Sequence, residues 1–262
     1  MILAVDVGTS NTTVGLFNGT GELLFRALLE TSRSKTRDQC AIELLGVFQL
    51  YGADACTVDG AILSSVVPPL TTIFTDAIAR LTGIPPMVVG PGIRTGLNIK
   101  AEIHNQLGSD IVASSVAAIA KYPSPIVMVD MGTATSLSLI VGSVYEGCII
   151  MPGLALALDA LSERAAALPP ISIETASPVG LMGHTTEEAM RSGVLYGHAS
   201  MVDGMLERIE ESIGQSVTTV ATGGNAPRIL RYCKRPIQYD ADLIMTGLYL
   251  LYQKNAKKYR KA

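Results

Sequence analysis

Two short segments place an aspartate, a glycine and hydroxyl side chains in the same order, and they lie about half of the 262-residue chain apart. The first reads Asp6-Val-Gly-Thr-Ser, and the second reads Asp130-Met-Gly-Thr-Ala. An apolar run of strand length precedes each aspartate, and apolar residues recur at alternate positions after each turn. This pattern predicts two β-hairpins whose tight turns carry the polar residues.

Turns of this composition suit phosphate binding. Glycine lets backbone N–H groups approach a phosphate closely, and threonine and serine add hydroxyl donors. An aspartate repels phosphate but can hold a divalent cation, directly or through water. An ordinary hairpin turn would explain one such segment, because Asp and Gly are common in turns. The repetition at half the chain length favours two hairpins that bind the phosphate chain of a nucleotide from both sides.

A third segment fits the same chemistry. Residues 216–221 are rich in β-branched side chains and predict a strand, which Thr222-Gly223-Gly224-Asn225 follows. A helix is predicted to begin near Ala226, with Pro227 in its first turn. A Gly-Gly turn at the end of a strand lets a flat ring or a sugar lie against backbone. Because it follows two phosphate hairpins, we interpret this turn as an adenosine site.

The elements that must position these residues alternate between strand and helix, which predicts an α/β fold. Strands are expected at 2–6, 12–17, 22–29, 58–64, 87–89, 126–131, 135–141, 144–150 and 217–221. Helices are expected at 36–51, 69–82, 108–121, 153–167, 186–213, 226–233 and from about 240. Pro123-Ser124-Pro125 is the predicted boundary. The chain is therefore expected to form a duplicated pair of domains, 1–122 and 123–262, with a cleft between them.

Composition and charge argue against several classes of protein, including nucleic-acid-binding and membrane-spanning proteins. The chain is 48% apolar and 16% charged, and its net charge of -3 gives no electrostatic case for nucleic-acid binding. No apolar stretch approaches the ~20 residues that span a membrane, and no basic segment at the start resembles a signal peptide. Four scattered cysteines without a CxxC motif predict a reducing, cytoplasmic location. The basic residues near the end, Lys254 to Lys261, are typical of a solvated helix end.

Taken in order along the chain, these motifs resemble the type III pantothenate kinase family, within the acetate kinase, sugar kinase and actin superfamily. The matching segments are Asp6–Asn11, Val89–Gly92, Thr95–Leu97, Gly108–Asp110, Asp130–Thr135, Gly147–Gly153, Leu168–Pro169, Gly183–Thr186, Ser192–Gly193, Tyr196–Gly197, Ala221–Gly224 and Gly247–Leu248. The resemblance implies duplicated ribonuclease H-like, or actin-like, domains. It also implies a homodimer that phosphorylates the primary hydroxyl of pantothenate with ATP and Mg²⁺, helped by K⁺ or NH₄⁺, in the first step of coenzyme A biosynthesis.

The resemblance assigns roles residue by residue. Asp110 matches the general base, although it could also cap the helix that it begins. Asp6 and Asp130 match the carboxylates that position Mg²⁺ and phosphates. The matches to phosphate and nucleotide contacts are Asp6, Gly8, Thr9, Asn11, Gly132, Thr133, Thr135, Gly223 and Gly224. The matches to acceptor contacts are Gly108, Ser109 and Thr186; Thr186 would reach across the dimer interface, and it is also a natural N-cap.

Three departures from the family pattern concern the acceptor side. Ile111 replaces an arginine that helps hold the pantothenate carboxylate, and Ala101 replaces a tyrosine. Ser138 replaces an aspartate linked to the monovalent cation. Pantothenate is therefore expected to be a poor substrate unless Lys100, His104 or His184 compensates.

Two alternatives to pantothenate phosphorylation stay open. One is a kinase of this fold that acts on a different small hydroxyl metabolite. The other is a non-catalytic nucleotide-binding accessory protein. The presence of Asp6, Asp110 and Asp130 favours a kinase over the accessory protein.

Overall fold

The computed structural model describes residues 1–100, 107–174 and 179–259. The chain divides into two compact units. The first unit contains Met1–Lys121 together with Asp242–Ala262, and the second contains Tyr122–Ala241. The expected second domain, 123–262, therefore needs correction, because its last helix packs with the first unit.

The first unit is built on a five-stranded sheet in the order β3-β2-β1-β4-β5. These strands are β1 (Ile2–Val7), β2 (Asn11–Phe17), β3 (Leu23–Glu30), β4 (Gly60–Ser65) and β5 (Met87–Val88). Strands β1, β2 and β3 form an antiparallel meander, whereas β4 runs parallel to β1 and β5 parallel to β4. A two-residue strand, β6 (Asn98–Ile99), follows in the chain.

Helices cover both faces of this sheet. They are α1 (Arg37–Leu50), a 3₁₀ turn (Ala55–Thr57), α2 (Pro68–Thr82), α3 (Ser109–Lys121) and α7 (Leu243–Tyr259). Thr36 begins α1 with a capping box to Gln39, and Pro68 occupies the first turn of α2, where its missing N–H costs nothing. The side chains of β1 alternate, so that Leu3 joins the core with α1 and α2, whereas Ala4 joins the core with α3 and α7.

The second unit repeats the sheet of the first. Its strands are β7 (Ile126–Met131), β8 (Ala134–Val141), β9 (Val144–Pro152), β10 (Thr218–Thr222) and β11 (Gln238–Tyr239). Their order, β9-β8-β7-β10-β11, again combines an antiparallel meander with two parallel strands. Its helices are α4 (Leu154–Arg164), α5 (Thr186–Ile213) and α6 (Ala226–Leu230). The same topology in both units confirms the predicted α/β fold of duplicated ribonuclease H-like domains.

The second unit has its main apolar core on one face of its sheet. Alternate residues of β7, including Val127 and Val129, pack there against α4, α5 and α6. The phenolic hydroxyl of Tyr122 donates to Asp240 Oδ2 at 3.0 Å and so joins the two ends of this unit. Within the described ranges, no helix combines the length and the apolar character needed to cross a membrane.

The predicted basic tail is only partly described. Lys254 lies on α7, and its ammonium donates to the Thr95 carbonyl at 2.7 Å rather than extending freely into solvent. Beside it, the amide of Asn255 pairs with the backbone N–H and C=O of Arg94 at 2.9 and 3.0 Å. Arg260 and Lys261 lie outside the described residues. The last helix therefore fixes the loop that follows β5.

Candidate functional site

The first predicted phosphate hairpin is formed by β1 and β2. Val7 is paired with Thr12, so residues 8–11 form the first turn. The Gly8 N–H donates to the Asn11 carbonyl at 3.0 Å and closes it. Thr9 and Asn11 are exposed, whereas Asp6, at the end of β1, is 7% exposed. The turn thus presents polar groups next to a nearly buried carboxylate.

The second predicted phosphate hairpin is formed by β7 and β8, and its turn is one residue shorter. Met131 is paired with Thr135, so residues 132–134 form the second turn. The Gly132 N–H donates to the Ala134 carbonyl at 3.0 Å, and Thr133 is exposed. Because of the shorter turn, Thr135 is the structural counterpart of Thr12 rather than of Asn11.

The Thr135 side chain faces the interior of the second unit. Its side chain is fully buried, and its hydroxyl lies 2.8 Å from Nε2 of His198, which is itself 1% exposed. Burial lowers the pKa of the His198 imidazole, because a charged ring would lose its hydration there. The hydroxyl of Thr135 is therefore directed at His198 and away from solvent, so any contact of this residue with phosphate would have to come from its backbone. The sequence did not indicate a role for His198, because a single histidine in a helix forms no motif.

The Gly-Gly turn lies directly against the second turn. Thr222 is paired with Asp130 on the neighbouring strand. Gly223 has a φ of 92°, and a Cβ there would lie 2.7 Å from Asp130 Oδ1, so that only glycine fits without displacing this carboxylate. The amide of Asn225 donates to the Gly132 carbonyl at 3.2 Å. The second unit therefore brings Asp130, the second turn and the exposed Gly224 together.

Asp110 lies in the first turn of α3, as predicted. Its Oδ1 accepts a hydrogen bond from the Ile111 N–H at 2.8 Å. A Cβ on Gly108 would collide with the same oxygen, so Gly108 leaves the space that the carboxylate occupies. Burial raises the pKa of the Asp110 carboxyl, and hydrogen bonds from backbone N–H groups oppose this increase. A half-buried carboxylate with a raised pKa is suited to accept a proton.

Ser109 joins α3 to the end of β4. Its hydroxyl lies 2.9 Å from the Ser64 hydroxyl, accepts from the Ser65 N–H and donates to the Ser65 carbonyl, both at 3.2 Å. Its predicted contact with the acceptor stays a prediction. Ile111, which follows Asp110, is half-buried.

Thr186, Ala101 and His104 were also predicted to matter to the acceptor. Thr185, not Thr186, is the N-cap of α5, since its hydroxyl accepts from the Glu188 N–H at 3.2 Å. Thr186 begins the helix and is exposed. Ala101 and His104 lie outside the described residues.

Ser138, at the position of the family's cation-linked aspartate, is fully buried. Its hydroxyl lies 2.9 Å from the Tyr145 hydroxyl, which is also fully buried. Ser138 therefore brings no carboxylate to this position, and its hydroxyl is paired inside the second unit.

Two sequence comparisons point to one family of proteins. A sequence model described as type III pantothenate kinase matches residues 2–208. A type III pantothenate kinase from an Exiguobacterium species is 38% identical over 258 residues, which cover 98% of this chain and 100% of the relative.

Two solved structures support the fold alone. Component A of (R)-2-hydroxyglutaryl-CoA dehydratase from Acidaminococcus fermentans matches with a TM-score of 0.58 and 13% identity, over 98% of each chain. The ROK hexokinase of Thermus thermophilus matches with a TM-score of 0.52 and 14% identity, over 98% of this chain and 99% of that chain. The match to the family model over most of the sequence, together with the 38% identical relative, shows that the chain belongs to the type III pantothenate kinase family.

Proposed function

We propose that this chain, an ATP-dependent kinase, transfers the γ-phosphoryl group of ATP to the primary hydroxyl of pantothenate and so forms 4'-phosphopantothenate. The observation that carries the proposal is the repeated hairpin. In both units the penultimate residue of the first strand is an aspartate, and a turn with exposed residues follows that strand, on sheets of the same topology. We also place the enzyme in the cytoplasm, where ATP is available.

Each unit is proposed to bind phosphate oxygens through its own turn. In the first unit the proposed donors are Thr9 and Asn11, and Gly8, whose N–H closes the turn, lets the phosphate approach the backbone closely. In the second unit the proposed donor is Thr133, Gly132 has the same role as Gly8, and Gly223 and Gly224 offer backbone to the nucleoside. Backbone N–H groups and hydroxyls in such turns form a concave site for anions.

Asp6 and Asp130 are proposed to hold Mg²⁺ together with the nucleotide. In the three described ranges, no three His, Cys, Asp or Glu side chains are grouped as a metal site. This fits Mg²⁺, which proteins usually bind through one or two carboxylates plus substrate phosphates. When bound, Mg²⁺ neutralises negative charge that develops on the transferred phosphoryl group.

Asp110 is the proposed general base. Its carboxylate accepts the proton of the attacking hydroxyl while that oxygen bonds to the γ-phosphorus. The bond between the γ-phosphorus and the bridging oxygen breaks, and ADP leaves. Gly108 keeps the carboxylate accessible, because a larger residue would displace it.

The acceptor is the part of the proposal with a rival. Ile111 cannot donate a charge-assisted hydrogen bond to a carboxylate, and such bonds are among the stronger ones in proteins. This observation favours a second candidate function, in which the same reaction uses a small hydroxyl metabolite that has no carboxylate at that position. Thr186 is exposed at the start of α5, and we propose that it contacts the acceptor of a partner protomer in a homodimer.

An acceptor screen tests the proposal. Purified protein with Mg²⁺ and ATP is assayed for ADP release against pantothenate and a panel of hydroxyl metabolites. An efficiency with pantothenate above about 10⁴ M⁻¹s⁻¹, the low end for ordinary enzymes, supports pantothenate. A better acceptor without a carboxylate supports the second candidate. If no acceptor increases ADP release, both kinase functions are contradicted.

A further inference from the structure

We infer that Thr135 and His198 are a positioning pair that fixes the second turn, residues 132–134, in the conformation that binds the nucleotide. The inference rests on the proposed nucleotide contacts of that turn. It assigns neither residue a contact with the ligand. It explains instead why a buried threonine stands directly after an exposed turn.

The pair is attached where the turn ends. Thr135 is paired with Met131, the last residue of β7, so it is the first residue after the turn that is held against β7. Its hydroxyl lies 2.8 Å from His198 Nε2, and both side chains are within 1% of full burial. His198 belongs to the 28-residue helix α5. The end of the turn is therefore tied to a long helix as well as to its own strand.

The first unit has an equivalent pair at the equivalent position. Thr12 directly follows the first turn, is fully buried, and places its hydroxyl 2.8 Å from the Thr31 hydroxyl. The Thr31 N–H also donates to the Ser10 carbonyl inside that turn, at 3.0 Å. Each unit thus anchors its turn through a buried threonine hydroxyl, although the anchoring partner differs. This recurrence with different partners indicates that the anchor matters to the turn.

The direction of the second hydrogen bond follows from what surrounds His198. Its Nδ1 is buried, with no hydrogen-bond partner among the residues that the structure describes. A buried N–H without a partner is rarer in proteins than an unused acceptor. The neutral ring therefore carries its proton on Nε2 and donates it to Thr135 Oγ1. Either side chain, once truncated, leaves the other with an unsatisfied polar group in the interior.

The test separates nucleotide binding from acceptor binding. Thr135→Val replaces the hydroxyl by a methyl group of similar size. We expect the dissociation constant of Mg·ATP, measured by calorimetry, to rise about three- to tenfold, in line with the net contribution of one hydrogen bond. The KM for the best acceptor should change less than the ATP constant. Thr135→Ser keeps the hydroxyl and should restore binding close to the wild-type value.

A matched control is available on the neighbouring strand, β9. Tyr145→Phe removes a buried hydroxyl that is hydrogen-bonded to Ser138 of β8, away from the turn. It should leave ATP binding unchanged. His198→Leu should weaken ATP binding as Thr135→Val does. The double variant should be no worse than either single one, because both act through the same contact.

Several results would overturn the inference. One is a Thr135→Val variant that binds ATP as tightly as wild type does. If Thr135→Val does not fold, the same result in His198→Leu overturns the inference. Another is an equal loss in Tyr145→Phe, which would indicate a general loss of packing. Asp130→Asn separates a failure of this inference from a failure of the proposed nucleotide site. If Asp130→Asn weakens ATP binding and Thr135→Val does not, the positioning pair alone is wrong; if Asp130→Asn has no effect, the proposed nucleotide site is wrong.

Discussion

Replacing Asp110 by Asn should change activity and stability in opposite directions. The side chain keeps its size, and its Oδ1 can still accept the 2.8 Å hydrogen bond from the Ile111 N–H. It loses the carboxylate that accepts a proton. General bases contribute about 10²–10⁴-fold to turnover, which corresponds to about 2.7–5.4 kcal/mol in the activation barrier. The kcat should fall by that factor, with little change in ATP affinity.

The effect on stability follows from the raised pKa of Asp110. Burial raises this pKa above 3.8, so the folded state holds the proton more tightly than the unfolded state does. Below pH 3.8 the carboxyl group is protonated in both states and does not oppose folding. Once the pH exceeds the pKa in the folded state, folding must bury a charged carboxylate, and the destabilisation is largest. Asn has no such charge to bury, and it caps helices about as well as Asp. We expect Asp110→Asn to unfold no more easily than wild type at pH 7, and to lose any advantage as the pH falls toward 3.8.

The assay pairs ADP release under saturating substrates with urea unfolding at pH 7 and pH 4. Two results would refute the reasoning. More than about a third of wild-type turnover in Asp110→Asn is incompatible with the loss of a general base. A clear destabilisation at pH 7 would mean that the carboxylate mainly supports the start of α3.

Asp6→Asn and Asp130→Asn should each raise the Mg²⁺ concentration needed for half-maximal turnover; unchanged Mg²⁺ dependence in both would exclude the proposed metal role. Ile111→Arg should improve pantothenate efficiency about ten- to a hundredfold, since a charge-assisted hydrogen bond contributes about 1.5–3 kcal/mol; no gain would mean that other residues hold the carboxylate. Light scattering should give twice the 27.6 kDa chain mass, and a monomer mass would exclude the homodimer. Asn255→Leu should raise the acceptor KM more than the ATP KM, because the loop at Arg94 precedes the segment that leads to Asp110; equal changes would contradict this.

Much of the fold was predictable because local patterns determine it. The two hairpins follow from apolar runs interrupted by glycine-containing turns, and a hairpin specifies which strands are neighbours. The start of α2 follows from Pro68 and Pro69. The position of α7 was not predictable. The sequence indicates that the helix buries one face, but Met245 and Leu248 pack against the first unit through contacts that no local pattern reveals.

In the candidate site, too, some contacts follow from local sequence patterns and others join residues that are far apart in the chain. The family resemblance assigned Thr135 to the phosphate contacts, which would suit an exposed side chain. The alternation along β8 carried the correct signal, since Thr135 is in phase with the buried Leu137 and therefore faces the interior. The contact of Ser109 with Ser64 had no such signal, because it joins residues 45 positions apart.

Because α7 packs with the first unit, that unit is complete only when the end of the chain has been synthesised. The ribosome makes chains from the N-terminus, and domains generally fold as units during that process. The second unit is one continuous stretch, so all of it is synthesised before Leu243 is added. The sheet face around Ile2 and Ala4 must wait for that last helix to cover it. A chain that ends before Leu243 would therefore contain a complete second unit and a first unit with bare apolar surface, the kind of intermediate that chaperones recognise.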